Sequence, residues 1–206
     1  ENQLVELTAE QKIIYEHLEQ HRPRGWLMQA RKALLDPRLV DPEVLKRAGV
    51  LGKIGIDSSG KYKVLEELLT DDNGPVARGE KFVIFSSMLR EGVTQKGHEY
   101  LRERYQKMGE GKLYERLQLD KTLDEIIKEA LKKKFGREFE IGVIDGTILG
   151  TDEREDIVDR LSEDGVAGLL CTTKTGGESL DFTAASYVVF LDEDYSPKTS
   201  EQALSR

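Results

Sequence analysis

An α/β fold built on a parallel sheet, preceded by a helical segment, is what these 206 residues predict. Three observations carry that expectation. Four short runs, at 81–85, 139–144, 166–171 and 187–191, are apolar almost throughout instead of alternating. That is the pattern of strands covered on both faces. Helical segments at 99–107, 123–134 and 152–161 separate the runs, as crossovers between parallel strands require. Residues 1 to about 57 read as mostly helical.

In chain order, Thr8 is followed three residues later by Gln11, a capping-box spacing. Ile13, Ile14 and Leu18 then recur at helical intervals. A second helical stretch over 26–35 stops before Pro37, and Asp41, Pro42 and Glu43 start a short third helix with proline at an early position. Gly49, Gly52, Gly55 and Gly60 punctuate a loop. A boundary near Asp57 therefore divides a helical segment (1–57) from the α/β domain (58–206), which opens on an amphipathic helix over 61–69.

The length suits one medium domain plus an extra segment. The single cysteine, Cys171, rules out an internal disulfide and fits a reducing cytoplasm, a nucleoid in a prokaryote or a nucleus in a eukaryote. No apolar run approaches the roughly 20 residues of a membrane span, and no basic-then-apolar leader is visible. A first residue other than Met, and an ending inside a patterned segment, suggest an excerpt of a longer chain. The net charge of −8 argues against nucleic-acid binding over the whole surface. The charge is uneven, however: 152–164 is strongly acidic, while 96–137 is slightly basic and contains Lys132, Lys133 and Lys134. One edge of an acidic domain can still hold phosphates through backbone N–H groups and hydroxyls.

The strand ends point to such an edge. The four runs lead into Ser86 and Ser87, Asp145 and Gly146, Thr172 and Thr173, and Asp192. Ligands of open α/β sheets bind outside the carboxyl ends of the strands. After the third run come Lys174, Thr175, Gly176, Gly177, Glu178, Ser179, Leu180 and Asp181. Hydroxyls followed by a glycine pair let an oxyanion approach the backbone closely, although glycine-rich turns after strands are common.

The order of segments resembles the second lobe of Swi/Snf-family ATPases within superfamily two. The Gly176–Gly177 turn, Leu180-Asp181-Phe182-Thr183-Ala184-Ala185, the strand ending in Asp192, Asp194-Tyr195-Ser196-Pro197, and Gln202-Ala203-Leu204-Ser205-Arg206 are similar to that family's fifth and sixth motifs. Upstream, 81–87 resembles its "Val-Phe-Ser" strand, and Ile144-Asp145-Gly146 with Arg154 resembles its "Asp-Gly … Arg" element. Ser59-Gly60-Lys61 matches the start of the second lobe, and residues 7–15 and 29–39 are similar to the helices that link the lobes. Ser179, Asp181, Tyr195 and Ser196 depart from the usual Gly, Asn, Trp and Asn. A longer stretch before Phe139 suggests a helical insertion at about 95–137.

The resemblance implies a RecA-like helicase C-terminal domain behind a helical inter-lobe segment, working in a double-stranded DNA translocase with ATP and Mg²⁺. No GxxxxGK[ST] sequence occurs, so the phosphate-gripping loop would belong to a first lobe upstream of Glu1, and this lobe alone would be inactive. Arg206 would act as arginine finger, joined by a second arginine three residues further on. Gln202, Asp181, Glu178 and Gly177 would face ATP. Ser86, Ser87, Thr172, Thr173, Lys174 and Gly176 would hold the DNA backbone. Two other classes fit the same residues: a lobe of an RNA or repair helicase, and a non-catalytic RecA-like interaction module. Elsewhere the reading is plain. Lys132–Lys134 sit at a helix end where the dipole favours cations, Cys171 and Trp26 are packing residues, 152–164 is a solvated face, and His17, His21 and His98 have no metal-ligand spacing.

Overall fold

The computed structural model describes residues 3–88, 95–145, 148, 150–173 and 181–192, with backbone alone over 95–98. The chain divides into two compact units, Glu1–Leu65 with Thr94–Lys121, and Glu66–Val93 with Thr122–Arg206. The first part of the expected insertion thus groups with the amino-terminal helices, and its last helix groups with the sheet.

The first unit contains α1 (Ala9–His21), α2 (Trp26–Leu35), α3 (Pro42–Arg47), the start of α4 (Gly60–Thr70), α5 (Gln95–Lys107) and α6 (Gly111–Arg116). The Thr8–Gln11 capping box forms as its spacing predicts. Gln11 does more than cap. Its buried amide Nε2 donates to the carbonyls of Ala33 and Leu34 at 2.8 and 3.2 Å, and its Oε1 accepts from Thr8 and Gly60 N–H, both at 3.1 Å. One satisfied polar side chain therefore ties α1, the end of α2 and the start of α4. Gly60 leaves room for this: a Cβ there would stand 2.3 Å from the Glu6 carbonyl oxygen.

Asp36 and Arg38, 1% and 3% exposed, join the helices to the 94–121 segment. Asp36 caps a 3₁₀ turn over Pro37–Leu39 and receives Arg38 Nη2 at 2.8 Å. Arg38 Nη1 donates to the carbonyls of Gln118 and Lys121. Gln118 has φ 49°, a left-handed conformation uncommon outside glycine, and its carbonyl is one that Arg38 holds. Arg104 of α5 adds an ion pair to Asp41, the α3 cap, at 2.6 Å.

The second unit is built on β1 (Lys81–Ser86), β2 (Glu140–Ile144), β3 (Val166–Thr172) and β4 (Ala185–Phe190). All pairs are parallel, in the order β2-β3-β1-β4. The two central strands are the most deeply buried. Every residue of β3 is buried, and Phe82, Val83, Ile84 and Phe85 of β1 are 0% exposed. Burying a side chain such as Phe82, Val83, Ile84 or Leu169 contributes about 1.5–3 kcal/mol. The helices α7 (Leu123–Phe135) and α8 (Thr151–Asp159) pack against β2. Val158 of α8, with Leu161, completes a core with Val83, Phe85, Ile144, Leu169, Cys171 and Phe182. The charge-rich end of α7 is paired, Lys132 with Glu138 and Lys134 with Asp72 at 2.6 Å.

Expectation and structure differ at the fourth strand. It starts two residues earlier than its apolar run and is half-exposed, with Ser186 and Val188 open. Among the described residues β4 has one neighbour and is the edge strand, and exposed Ser186 and Val188 leave one of its faces open instead of both being covered.

The sheet closes tightly at Gly168. A Cβ there would lie 2.4 Å from the Phe82 ring and 2.5 Å from the Phe82 carbonyl oxygen. The second of these is backbone and cannot turn aside. Gly168→Ala is therefore expected to destabilise by about 1–3 kcal/mol. Gly52→Ala, which meets only ordinary contact at 3.9 Å, should stay within about 0.5 kcal/mol. Urea unfolding of the two variants checks the contrast.

Candidate functional site at the carboxyl edge of the sheet

Register brings the four strand ends to one edge. Ser86 pairs with Thr172, and Ile144 with Cys171. Leu191 N–H donates to the Phe85 carbonyl at 2.9 Å, which carries the β1–β4 pairing one residue past the strand. Asp145, Thr172, Ser86 and Asp192 consequently emerge side by side, as the sequence leads one to expect.

Asp192 organises the turn after β1. Its Oδ1 accepts the Ser87 N–H at 2.6 Å, and its Oδ2 accepts the hydroxyls of Ser86 and Ser87, both at 3.1 Å. Ser86 Oγ in turn accepts the Met88 N–H at 3.2 Å. The Ser86 hydroxyl is thus occupied on both its donor and acceptor sides, and the residue is 1% exposed. Ser87 is half-buried and stands at the rim. Thr172 and Thr173 are 7% and 1% exposed. The expected hydroxyl row is present, but apart from Ser87 it is covered in this conformation.

Asp181 is exposed, and its Oδ1 accepts the Thr183 N–H at 3.0 Å, which starts the turn into β4. The next residue fixes its place. Phe182 is buried edge-on to Phe85, with ring centroids 5.9 Å apart, and Phe85 also stacks on Phe190 at 5.1 Å. An aromatic anchor thus holds the acid at the surface. Beyond β2, Arg154 Nε donates to the Ile148 carbonyl at 2.9 Å, so α8 holds the loop that follows Asp145.

Of the residues expected to work here, Ser86, Ser87, Thr172 and Thr173 lie in unit 2 at this edge, while Asp181 lies in unit 2 in the turn that leads into the amino end of β4. Lys174, Gly176, Gly177, Glu178, Gln202 and Arg206 lie outside the described residues, as does the helix expected at 201–206. The role of Asp192 as clamp of the β1 turn is not evident from the sequence, where it marks only a strand end. Its spacing of 105 and 106 residues from its partners leaves no local signal. Two carboxylates, those of Asp145 and Asp192, stand at the described edge. Such a set suits hydroxyl and N–H donors and repels a triphosphate, so nucleotide phosphates would need cations from elsewhere. Burial raises the thiol pKa of Cys171, beneath the edge in β3, which keeps it an inert packing residue.

Comparison with known proteins gives a consistent picture. Residues 60–206 match the family described as helicase conserved C-terminal domain. Chromodomain-helicase-DNA-binding protein 1-like from Danio rerio is 29% identical over 184 residues, which cover 87% of this chain and 14% of that protein. The chain thus spans about a seventh of the length of this relative. Two solved structures share the fold, each with a TM-score of 0.55. One is the C-terminal part of the Fun30 ATPase domain (17% identity, 98% of this chain and 78% of the other). The other is the SWI2/SNF2 ATPase C-terminal domain of Sulfolobus solfataricus (19% identity, 91% and 69%).

Asp192→Ala should free the turn after β1 and cost about 1–3 kcal/mol through unsatisfied Ser86 and Ser87 groups. Asp192→Asn, which keeps an acceptor, should cost less. Thermal unfolding of both variants reads the difference; equal stability with wild type would remove Asp192 from this role.

Proposed function

The chain belongs to the helicase conserved C-terminal domain family and has the fold of a Swi2/Snf2 ATPase C-terminal lobe; from that premise we propose that it is the second motor lobe of an ATP-driven translocase on double-stranded DNA. The observation that carries this reading is the alignment of Ser86, Ser87, Thr172 and Thr173 along one sheet edge, continued in the chain by Lys174 and Gly176. Hydroxyls and backbone N–H groups at strand ends hold phosphates without reading bases, as a translocase needs. The buried hydroxyls set the height and direction of the loops, and Ser87, Lys174 and Gly176 make the contacts. An RNA-directed or non-catalytic lobe remains the alternative outcome of the test below.

On the nucleotide side, Asp181 serves a sugar hydroxyl, and Gly177, Glu178, Gln202 and Arg206 act on the nucleotide with it. ATP with Mg²⁺ supplies the free energy of each cycle; its phosphates are gripped by a first lobe, because this sequence has no phosphate loop and its described edge is acidic. Arg206 stabilises negative charge that grows on the transferred phosphoryl group. Residues 1–57 link the lobes, and 58–206 form the moving lobe with its insertion. Action on DNA places the protein in a nucleus or a nucleoid.

The test is ATP hydrolysis by the full-length protein, with and without duplex DNA. Turnover should rise with DNA, and Arg206→Ala should lower it by roughly 10³–10⁵-fold. Stimulation by RNA alone would favour the RNA-directed alternative, and no turnover with either would favour an interaction module.

A further inference from the structure

We propose that the corner between α1 and α2, in the first unit, is an auxiliary contact for the phosphate backbone of duplex DNA, separate from the strand-end residues. The inference rests on the translocase reading above. Residues 20–35 contain Arg22, Arg24, Arg31 and Lys32 and no acid, in a chain of net charge −8. A polyanion approaches an acidic protein where the local potential is positive.

The corner is built, not loose. Arg22 ends α1 in a left-handed conformation (φ 37°, ψ 55°), with its N–H on the Leu18 carbonyl at 2.8 Å. Gly25 follows at φ 78°, and Trp26 N–H closes the turn on the Pro23 carbonyl at 2.9 Å. The Arg22 guanidinium lies 5.3 Å from the centre of the Trp26 ring, and its Nε donates to the Glu19 carbonyl. A planar cation held this way loses little freedom on meeting a phosphate. His21, Arg22 and Arg24 are exposed. The His21 ring stacks on His17, with centroids 4.3 Å apart. Burial, and then the charges of His21 and Arg47, hold the His17 pKa below its ordinary value, and Arg47 of α3 pairs with exposed Glu43 at 3.7 Å. Arg22 on the indole, exposed Arg24 and the His17–His21 pair therefore stand together in sequence at the end of α1 and the turn that follows it.

Two features favour a duplex over an acidic peptide. The corner is made of helix ends and offers no strand edge for a peptide backbone to pair with. Its basic residues run from the end of α1 through the turn into α2 (Arg22, Arg24, Arg31, Lys32), which suits phosphates repeated along a backbone better than a single carboxylate.

The experiment measures duplex affinity of the full-length protein by fluorescence anisotropy over a range of salt, beside an Arg22→Gln/Arg24→Gln variant. Loss of two phosphate contacts should flatten the slope of log K against log salt by about 1.8, at about 0.9 per contact. An Arg22→Lys/Arg24→Lys variant, which keeps both charges, should restore most of the slope, whereas a merely folding-related defect would not be rescued. ATP turnover at saturating DNA should stay unchanged in both. If wild type binds duplex and the Gln variant keeps its slope, the auxiliary contact is overturned and the translocase reading stands. If the Gln variant loses only polyglutamate binding, the corner is a peptide site and the proposal is wrong. If wild type binds no duplex at any salt, both readings fall.

Discussion

The close approach of β1 and β3 is the constraint on which the α/β unit depends. Gly168 admits the Phe82 ring and carbonyl at distances no side chain would allow. That fit lets β1 and β3 pair closely, with Ser86 opposite Thr172. A slip of one position would take Gly168 away from Phe82 and carry Ser86 out of line with Thr172. Packing beneath the edge and the layout of the edge are thus one problem, solved by one register.

From that register the chemistry is assembled by a few side chains that act on backbone. Asp192 gathers Ser86 and Ser87 into a fixed turn. Phe182 sinks edge-on against Phe85 and leaves Asp181 outside. Arg154 steadies the loop after β2. In the helical unit the same economy recurs. Gln11 satisfies four backbone groups across three elements, and Arg38, paired with Asp36, holds the carbonyls of Gln118 and Lys121. The pair is buried, so loss of either partner would strand the other's charge.

Local patterns were legible in the sequence. Four apolar runs became the four strands, and the Thr8 capping box and the proline-led α3 formed where their residues stand. The polar strand ends also fell on one edge, because parallel strands run the same way. What could not be read was set by distant partners. The short helix α6 and the 3₁₀ turns have too few residues to show a period. The half-exposed β4 was indistinguishable by composition from a central strand, since exposure depends on its neighbours. Asp192 finds its serines over a hundred residues away, and the grouping of 94–121 with the amino-terminal helices depends on Arg38 and Arg104, which look like ordinary surface charges in sequence.

The central claim is that the carboxyl ends of β1 and β3 form the DNA-facing edge. Hydrogen–deuterium exchange of the full-length protein, with and without duplex DNA, tests it most directly. Slowed exchange over residues 86–88 and 172–181 on adding DNA is the predicted result. Unchanged exchange there, with DNA binding evident from other regions, would contradict the claim.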